Sequence, residues 1–349
     1  MRIISAASAF PTHRYSQQAI AGALKKYWGK NLKQAEAIDR LHSRTGVDYR
    51  HLVLPLHAYE RVDTWGKANS LWIQAAQQLG KTALCRAMLE PGIVPSELDA
   101  LIFVSVTGIA SPSVDAKLVN LLGVSPNIKR MPIFGLGCVA GAAGIARAAD
   151  YVRAFPDQIA ALVSVELCSL TWQRQDVSVP NIISSGLFGD GAAAVLVAGA
   201  ETKFDGPEIL ATRSVFYPHT ENVMGWDISE KGFQIMLSAD VPNVVREHLR
   251  QDVDLFLADN GLARGDVGSW IIHTGGPKVL EAVQDSLELA DGALNASWEC
   301  LRRVGNLSSA SVLVVLEDVL RRGGGESGTY SVLAAMGPGF CSELLLLRW

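Results

Sequence analysis

Charged residues are scarce in this chain of 349 residues: Asp, Glu, Lys and Arg make up 19% of it, where about 25% is usual. The low charge, together with 49% hydrophobic residues, excludes an intrinsically disordered chain and predicts a large buried core. The net charge is −4, so no basic field is available to attract nucleic acid. A local basic patch could still bind a small anionic ligand.

Long apolar runs are also absent. No uncharged stretch reaches the roughly 18 residues that a membrane span needs. The longest one, residues 131–146, is rich in Gly and Ala and lies between Arg130 and Arg147. The apolar run between Arg2 and Ala7 is too short for the core of a signal peptide, which takes about 7–15 residues. We interpret it as a first strand.

Cysteines are few and scattered. The chain has five of them and no C-x-x-C pair: Cys85, Cys138, Cys168, Cys300 and Cys341. This pattern favours reduced thiols in a cytoplasmic protein over a disulfide framework or a zinc site. We therefore predict neither disulfides nor a bound metal.

Short apolar runs alternate with longer segments of helical spacing along the whole chain. The runs are apolar on both faces, which is typical of strands buried under helices in an α/β fold. Predicted strands cover residues 100–106, 159–165, 192–198, 269–273, 330–335 and 343–349, and predicted helices cover 69–89, 139–154, 241–260, 278–289 and 308–322. A polar, turn-rich stretch at 199–207 predicts two units, residues 1–200 and 201–349.

Cys138 follows Gly135 and Gly137 and precedes a run of Ala and Gly with helical spacing. A strand, a turn and a helix in this order would place the sulfur at a helix N-terminus. There the unpaired N–H groups and the helix dipole lower the pKa of a thiol, which favours a nucleophile. The alternative is a packed core cysteine beside flexible glycines, since buried free cysteine is common.

Two further residues stand where α/β folds often place chemistry. His273 ends an apolar strand before a Thr-Gly-Gly-Pro turn, although a histidine there is usually a buried structural one. Asn306 precedes an apolar helix, where asparagine usually acts as a cap. With Cys138 they form a Cys–His–Asn set, in which the imidazole handles protons and two N–H donors can stabilise one oxyanion.

Three other motifs have simpler interpretations. Gly189-Asp190-Gly191 predicts a tight turn into a buried strand. Gly337-Pro338-Gly339 predicts a rigid loop that permits close approach of the backbone to a ligand. Residues 40–52 contain three arginines, which usually form a solvated face, although arginine is also suited to clamp phosphates.

Taken together, the motifs resemble those of the type III polyketide synthases, the chalcone synthase-like branch of the thiolase superfamily. The resemblance covers most of the chain, in the family's order: TGVDYRHL, GLGCVAGA, VELCSLTW, LFGDGAAAVLV, WIIHTGGPKVL, GNLSSASVLVVLEDV and GPGF. It implies a duplicated thiolase-like fold of five αβαβα layers, with the nucleophile in the first half and His and Asn in the second. It also implies a homodimer without a metal or prosthetic group.

The resemblance implies roles for single residues as well. Cys138 is expected to carry the acyl chain, His273 to be its ion-pair partner and Asn306 to be the second oxyanion donor. Trp172 falls where the family has an aromatic gatekeeper, and Ile235 falls at a pocket position often held by Phe. The expected substrate-binding residues are Trp172, Ile235, Arg40, Arg44, Gly275, Gly337, Pro338 and Gly339, of which the two arginines would meet coenzyme A phosphates.

The implied activity is acyl transfer. An acyl-CoA starter would be held as a cysteine thioester, extended repeatedly by decarboxylative Claisen condensation with malonyl-CoA, and cyclised to a pyrone, resorcinol or phloroglucinol. One alternative is a β-ketoacyl carrier-protein synthase III, which condenses once, although that family usually follows its histidine with Gln-Ala-Asn. The other is a catalytically silent thiolase-fold partner, in which an intact Cys, His and Asn set is unexpected.

Overall fold

The computed structural model describes residues 1–28 and 32–349, without the side chains of residues 32–34. Its strands are β1 (Arg2–Ala9), β2 (His13–Ser16), β3 (Tyr49–Leu52), β4 (Ala100–Val104), β5 (Lys129–Ile133), β6 (Ile159–Leu167), β7 (Asp190–Ala198), β8 (Glu208–Phe216), β9 (Met224–Ser229), β10 (Gly232–Leu237), β11 (Val267–Ile272), β12 (Tyr330–Gly337) and β13 (Cys341–Arg348). Its helices are α1 (Gln17–Trp28), α2 (Leu32–His42), α3 (Trp65–Leu89), α4 (Val114–Leu122), α5 (Ala140–Ala154), α6 (Val179–Leu187), α7 (Val241–Ala258), α8 (Pro277–Leu287), α9 (Asn295–Val304) and α10 (Ser311–Arg321). The strands and helices predicted from the sequence are confirmed, with ends that differ by at most four residues.

The first half of the chain builds a mixed sheet in the order β5-β4-β6-β7-β1. β4 is parallel to both β5 and β6, whereas β7 is antiparallel to both β6 and β1. β6 and β7 are buried along their whole length, as expected for runs that are apolar on both faces. The sheet must therefore be covered by other elements on both sides.

The second half repeats this arrangement with one strand fewer. Its order is β11-β12-β13-β8, with one parallel pair followed by two antiparallel pairs, as in the succession β4-β6-β7-β1. The two sheets meet where Arg2 of β1 pairs with Glu208 of β8. The polar stretch 199–207 connects β7 to β8, and the division into separate units at residue 200 stays a prediction.

Helices form three layers around the two sheets. α1, α3 and α4 pack on the outer face of the first sheet. α7 and α8 pack on the outer face of the second sheet. α5 and α10 share one buried cluster with strand residues of both halves, so they form the middle layer. The succession helix, sheet, helix, sheet, helix is the five-layer architecture that the sequence resemblance implies.

Small residues allow α5 to enter the middle layer. A Cβ on Gly144 would lie 2.5 Å from Cδ1 of Leu162 on β6, and a Cβ on Gly141 would lie 2.1 Å from the carbonyl oxygen of Ser309. Neither distance leaves room for a side chain, because protein interiors are close-packed. The second contact holds the first turn of α5 against the turn that precedes α10, and it thereby joins the two halves of the chain.

The long helix α3 is amphipathic. Trp72, Ala76 and Ala83 are buried on the side that faces the first sheet, whereas Thr82 and Arg86 are exposed. Such a helix covers a sheet with one face and meets water with the other. Across residues 1–28 and 32–349, no helix has the length and apolarity that crossing a membrane requires.

Gly141→Ala should destabilise the fold, because the added Cβ would meet the Ser309 carbonyl oxygen at 2.1 Å and Cγ1 of Val312 at 2.9 Å. Overpacking a core typically costs about 1–3 kcal/mol, and we expect the free energy of unfolding in urea to fall by at least that amount. Gly66→Ala in the first turn of α3 is the control, because its added Cβ has no described atom of another element within 4 Å. Equal stabilities of the two variants would contradict the close packing.

Candidate active site

Cys138 lies in a 3-10 turn, Gly137–Val139, that leads directly into α5. Gly137 has a φ of 55°, which glycine adopts without the strain that a side chain would bring. The cysteine is 5% exposed, and its Sγ donates to Oγ of Ser308 at 3.7 Å. The prediction of a cysteine on a turn at the N-terminus of a helix is confirmed.

The loop of Gly337, Pro338 and Gly339 closes over the cysteine turn. A Cβ on Gly337 would lie 2.6 Å from the backbone nitrogen of Val139, and a Cβ on Gly137 would lie 2.6 Å from Cδ of Pro338. The first two loop residues therefore press directly on the turn. Gly339 faces Phe216 at the end of β8 instead, where a Cβ would lie 3.2 Å from Cε2 of that ring.

Burial decides the ionisation of Cys138. Loss of water raises the pKa of the thiol to about 12, which the hydrogen bond with Ser308 only partly opposes, and the nearby Glu166 raises it further. The sequence led us to expect a lowered pKa at the helix N-terminus. In the structure desolvation raises the pKa instead, which favours the protonated thiol at pH 7.

His273 directly follows β11 and is buried. Its backbone N–H donates to the carbonyl of Ala334 on β12 at 3.0 Å, which fixes the end of the strand. Burial lowers the pKa of the imidazole to about 4, so the ring is neutral at pH 7. Its Nδ1 has no hydrogen-bond partner among the described residues. A neutral ring of this kind can accept a proton from a neighbouring acid.

Asn306 is held on both sides of its amide. Its Oδ1 accepts the backbone N–H of Ser308 at 2.8 Å, in the manner of a helix cap, and its Nδ2 donates to the carbonyl of Gly275 at 3.4 Å. Its backbone pairs with the segment before β7: the N–H donates to Leu187, and the carbonyl accepts from Gly189, both at 2.9 Å. Asn306 can therefore cap a turn through Oδ1 and still donate a hydrogen bond to an oxyanion through Nδ2, because the two roles use different atoms.

The structure brings these side chains together from distant parts of the chain. His273, Gly275 and Asn306 line one small cavity of about 40 Å³. Ser308 links Cys138 to Asn306, since its Oγ accepts from the thiol and its N–H donates to the amide oxygen. In the described residues the thiol has no hydrogen bond to His273, and burial of both groups acts against the ion pair expected between them, which stays a prediction.

Trp172 and Ile235 border a different and larger cavity of about 490 Å³. Trp172 packs against Tyr27 and Trp28, with ring centroids 5.0 and 5.4 Å away. Neither predicted pocket residue lines the small cavity of His273 and Asn306. Their assignment as substrate-binding residues therefore depends on the larger cavity.

Phe188 borders both cavities, and our sequence analysis did not select it. It directly precedes the turn of Gly189, Asp190 and Gly191, which we interpreted as structural. Its position next to a tight turn at the start of a buried strand is the signal that could have identified it.

Arg40 and Arg44 lie away from both cavities. Arg40 is in the last turn of α2, Arg44 is two residues beyond the helix, and both side chains are exposed. Exposed guanidinium groups are suited to anionic groups of a ligand that reaches the surface. The expected contacts to coenzyme A phosphates stay a prediction.

A buried acid behind the cysteine also escaped our sequence analysis. Glu166 on β6 is fully buried, and burial raises its pKa. Its carboxyl group accepts hydrogen bonds from the hydroxyls of Ser105, Thr107 and Ser309 and from the N–H of Val106. The signal was an acidic residue inside an otherwise apolar strand, which requires polar partners from neighbouring elements.

A buried cysteine at a helix N-terminus, with a neutral histidine and an asparagine from the second half of a five-layer fold, defines an acyltransferase of the thiolase type. The chain belongs to the chalcone and stilbene synthase family. Family models of the N-terminal and C-terminal domains of chalcone and stilbene synthases match residues 3–201 and 208–349. The protein is accordingly a type III polyketide synthase.

Known relatives agree with this placement. A 1,3,6,8-tetrahydroxynaphthalene synthase of Streptomyces peucetius subsp. caesius is 48% identical over 345 residues, covering 98% of this chain and 91% of that protein. A phloroglucinol synthase of Pseudomonas fluorescens is 32% identical and covers 97% of either chain. The crystal structure of 1,3,6,8-tetrahydroxynaphthalene synthase from Streptomyces coelicolor A3(2), a type III polyketide synthase, has a TM-score of 0.95 at 30% identity, with 100% of this chain and 99% of that chain covered.

Alkylation of Cys138 by iodoacetamide should be slow at pH 7 and should rise about tenfold per pH unit toward pH 10. The reason is that only the thiolate reacts. Because burial raises the pKa of the Cys138 thiol to about 12, the thiolate fraction is small at pH 7 and rises about tenfold per pH unit below that pKa. Mass spectrometry of the peptide carrying Cys138 measures the rate at each pH. The exposed Cys85 is the internal control and should react faster at pH 7. A Cys138 rate that is already constant above pH 7 would show that the thiol is ionised after all.

Proposed function

We propose that this protein makes an aromatic polyketide by repeated decarboxylative condensation of malonyl-CoA onto an acyl-CoA starter, with the growing chain held as a thioester of Cys138. The observations that carry the proposal are that His273 and Asn306 line one small cavity and that Ser308 links Asn306 to the thiol of Cys138 by hydrogen bonds. The names of the relatives support it, since they are synthases of hydroxylated aromatic rings.

The first step loads the starter. The sulfur of Cys138 attacks the thioester carbonyl of the acyl-CoA, and the neutral imidazole of His273 takes up the thiol proton. The C–S bond to coenzyme A then breaks, and the imidazolium returns the proton to the leaving thiolate. Burial keeps both groups neutral at pH 7, so charge develops only when a substrate is in place.

The second step forms the carbon nucleophile. Malonyl-CoA loses CO₂, and the electron pair of the broken C–C bond moves onto the thioester oxygen to give an enolate. Nδ2 of Asn306 and an N–H of His273 donate to that oxygen. The hydrogen bond from Ser308 to Oδ1 of Asn306 holds the amide in this orientation before the substrate arrives. The enolate carbon then attacks the cysteine thioester, the C–S bond to Cys138 breaks, and its thiolate takes up a proton from water. The chain, longer by two carbons, is now a thioester of coenzyme A, and Cys138 attacks it again to begin the next round.

The growing chain needs space away from water. The cavity of about 490 Å³ beside Phe188 supplies it, with Trp172 and Ile235 in a largely apolar wall. Exclusion of water protects the reactive poly-β-keto chain from hydrolysis until it cyclises.

Since the 48% identical relative is a tetrahydroxynaphthalene synthase, we propose a polyhydroxylated naphthalene product. Arg40 and Arg44 would bind the phosphates of coenzyme A at the surface.

The proposed steps use a thiol, an imidazole and a carboxamide, so we propose that the protein acts without a metal or prosthetic group.

We also propose a homodimer that forms at β5, the terminal strand in the order of the first sheet. Phe134 follows this strand and is 44% exposed, and Phe155, which packs under Lys129 of the strand, is 38% exposed. An open strand edge beside exposed aromatic rings favours pairing with a second copy. The cytoplasmic location stays a prediction.

The purified protein should release CO₂ from malonyl-CoA and form an aromatic product with the mass of a polyhydroxylated naphthalene, as detected by mass spectrometry. Cys138→Ala should abolish the product, because no thioester can form. Asn306→Ala should lower the rate of malonyl-CoA decarboxylation by roughly 10²–10³-fold, the usual effect of losing one oxyanion donor. Radiolabelled malonyl-CoA measures both quantities.

Cys85→Ala is the matched control, since this exposed cysteine on α3 lies outside both cavities and the variant should keep the parent activity. A parent level of product from Cys138→Ala would overturn the assigned nucleophile. A single condensation that requires malonyl-carrier protein in place of malonyl-CoA would overturn the iterative reaction and support a synthase III activity.

Light scattering after size-exclusion chromatography should give twice the mass of one chain, because the free edge of β5 and its aromatic neighbours would be covered by a second copy. The measurement is made at the concentration of the activity assay. A single-chain mass in a fully active sample would contradict the homodimer.

A further inference from the structure

Arg50 is the third arginine of the segment 40–52, and unlike Arg40 and Arg44 it is buried. It lies on β3 and is 2% exposed. Burying a guanidinium ion is unfavourable unless the surrounding groups compensate for the lost water. Burial lowers the pKa of Arg50 to about 10, so the group still carries its charge at pH 7. The contacts of this charge show what it stabilises.

The guanidinium reaches the segment that carries Phe188. Nη1 donates to the carbonyl oxygen of Phe188 at 2.8 Å, and Nη2 donates to Oε1 of Gln17 at 2.9 Å. Gln17, at the start of α1, in turn donates to the carbonyl of Gly186 at 2.6 Å. Arg50 and Gln17 therefore hold two carbonyl groups of one short segment in front of β7.

The same segment holds Asn306. Leu187 accepts the N–H of Asn306, and Gly189 donates to its carbonyl, both at 2.9 Å, so Phe188 and Asn306 pair as a short parallel bridge, which we call the 188–306 bridge. The stem of Arg50 packs against the glycine on the other side of this bridge: a Cβ on Gly305 would lie 3.1 Å from its Cγ and Cδ.

An ion pair does not account for the buried charge. Asp190 is a carboxylate whose charge acts on Arg50. Its oxygens, however, accept the N–H of Val53 at 2.7 Å and the N–H and hydroxyl of Ser169 at 2.8 and 2.5 Å. Within the described residues, Arg50 forms no ion pair shorter than 4.0 Å, and its Nε has no hydrogen-bond partner. Its guanidinium donates instead to the carbonyl of Phe188 and to Oε1 of Gln17, and hydrogen bonds from a charged donor are stronger than neutral ones.

We propose that Arg50 is a positioning residue for the reaction, which holds the 188–306 bridge so that the amide of Asn306 and the ring of Phe188 keep their places beside the substrate. This inference rests on the proposed function, because it assigns Arg50 to the oxyanion donor of that reaction. Arg50 also borders the cavity of about 490 Å³, but in the described part of the chain it has no hydrogen bond to the side chains of Cys138, His273 or Asn306. It acts through the backbone that carries Asn306, the oxyanion donor, and Phe188, which borders both cavities.

The test compares Arg50→Met and Arg50→Lys with the parent in malonyl-CoA decarboxylation. Arg50→Met keeps an apolar stem and removes the donors, so kcat should fall about 10- to 100-fold, the scale expected when a donor is misplaced without being lost. KM for malonyl-CoA should change less than about threefold, since the loss falls on the transition state. Arg50→Lys keeps the charge and one donor, and it should recover part of kcat. Arg14→Met, an exposed arginine on the neighbouring strand β2, is the matched control and should keep the parent kcat.

Hydrogen exchange supplies a readout that does not depend on activity. The amides of Gly189 and Asn306 should exchange faster in Arg50→Met, whereas those of β6 should exchange as in the parent. A parent-like kcat, or parent-like exchange at both amides, would overturn the proposal. If Arg50→Met does not fold, the same two measurements on Arg50→Lys decide, and if neither variant folds, Arg50 is a core residue and the proposal is wrong. A parent that does not decarboxylate malonyl-CoA would overturn the proposed function, while the exchange comparison would still decide the role of Arg50.

Discussion

The contact between the first turn of α5 and the turn before α10 is the interaction on which the whole site depends. It is a backbone contact, in which Gly141 lies against the carbonyl oxygen of Ser309, and any side chain at Gly141 would separate the two halves. Because of it, the thiol of Cys138 reaches the hydroxyl of Ser308, whose own N–H orients Asn306. The duplicated fold therefore places Cys138 from one half beside Ser308 and Asn306 from the other, although these residues are far apart in the sequence.

The same close packing sets the electrostatics. Cys138 and His273 are both buried, and both groups move toward their neutral forms: the pKa of Cys138 rises to about 12 and that of His273 falls to about 4. A dry, neutral site is suited to acyl transfer, because charge that appears only in the reacting complex is stabilised by fixed donors and not by mobile water. A buried thiol with a raised pKa is also a weaker target for oxidants and alkylating agents.

Polar groups buried around the site serve to hold backbone in place. Glu166 ties together β4, β6 and the turn at Ser309 from behind the cysteine. Arg50 and Gln17 do so from the side of Phe188. Burial of such a group raises the free energy of the folded state unless its main hydrogen bonds are made. These networks therefore favour a single arrangement of the backbone around them. Rigid mounting of the donors is what the proposed reaction requires.

The sequence by itself determined the strands, the helices and the local positions of Cys138, His273 and Asn306, because hydrophobic period and turn residues act over a few positions. Cys138 on a glycine turn, His273 after a strand and Asn306 before a helix were all readable in this way. Only the tertiary structure decided the ionisation of Cys138, the place of Trp172 in the larger cavity, and the importance of Phe188, Glu166 and Arg50. Desolvation, cavity walls and buried hydrogen bonds arise from groups that are far apart in the chain, so no local pattern records them.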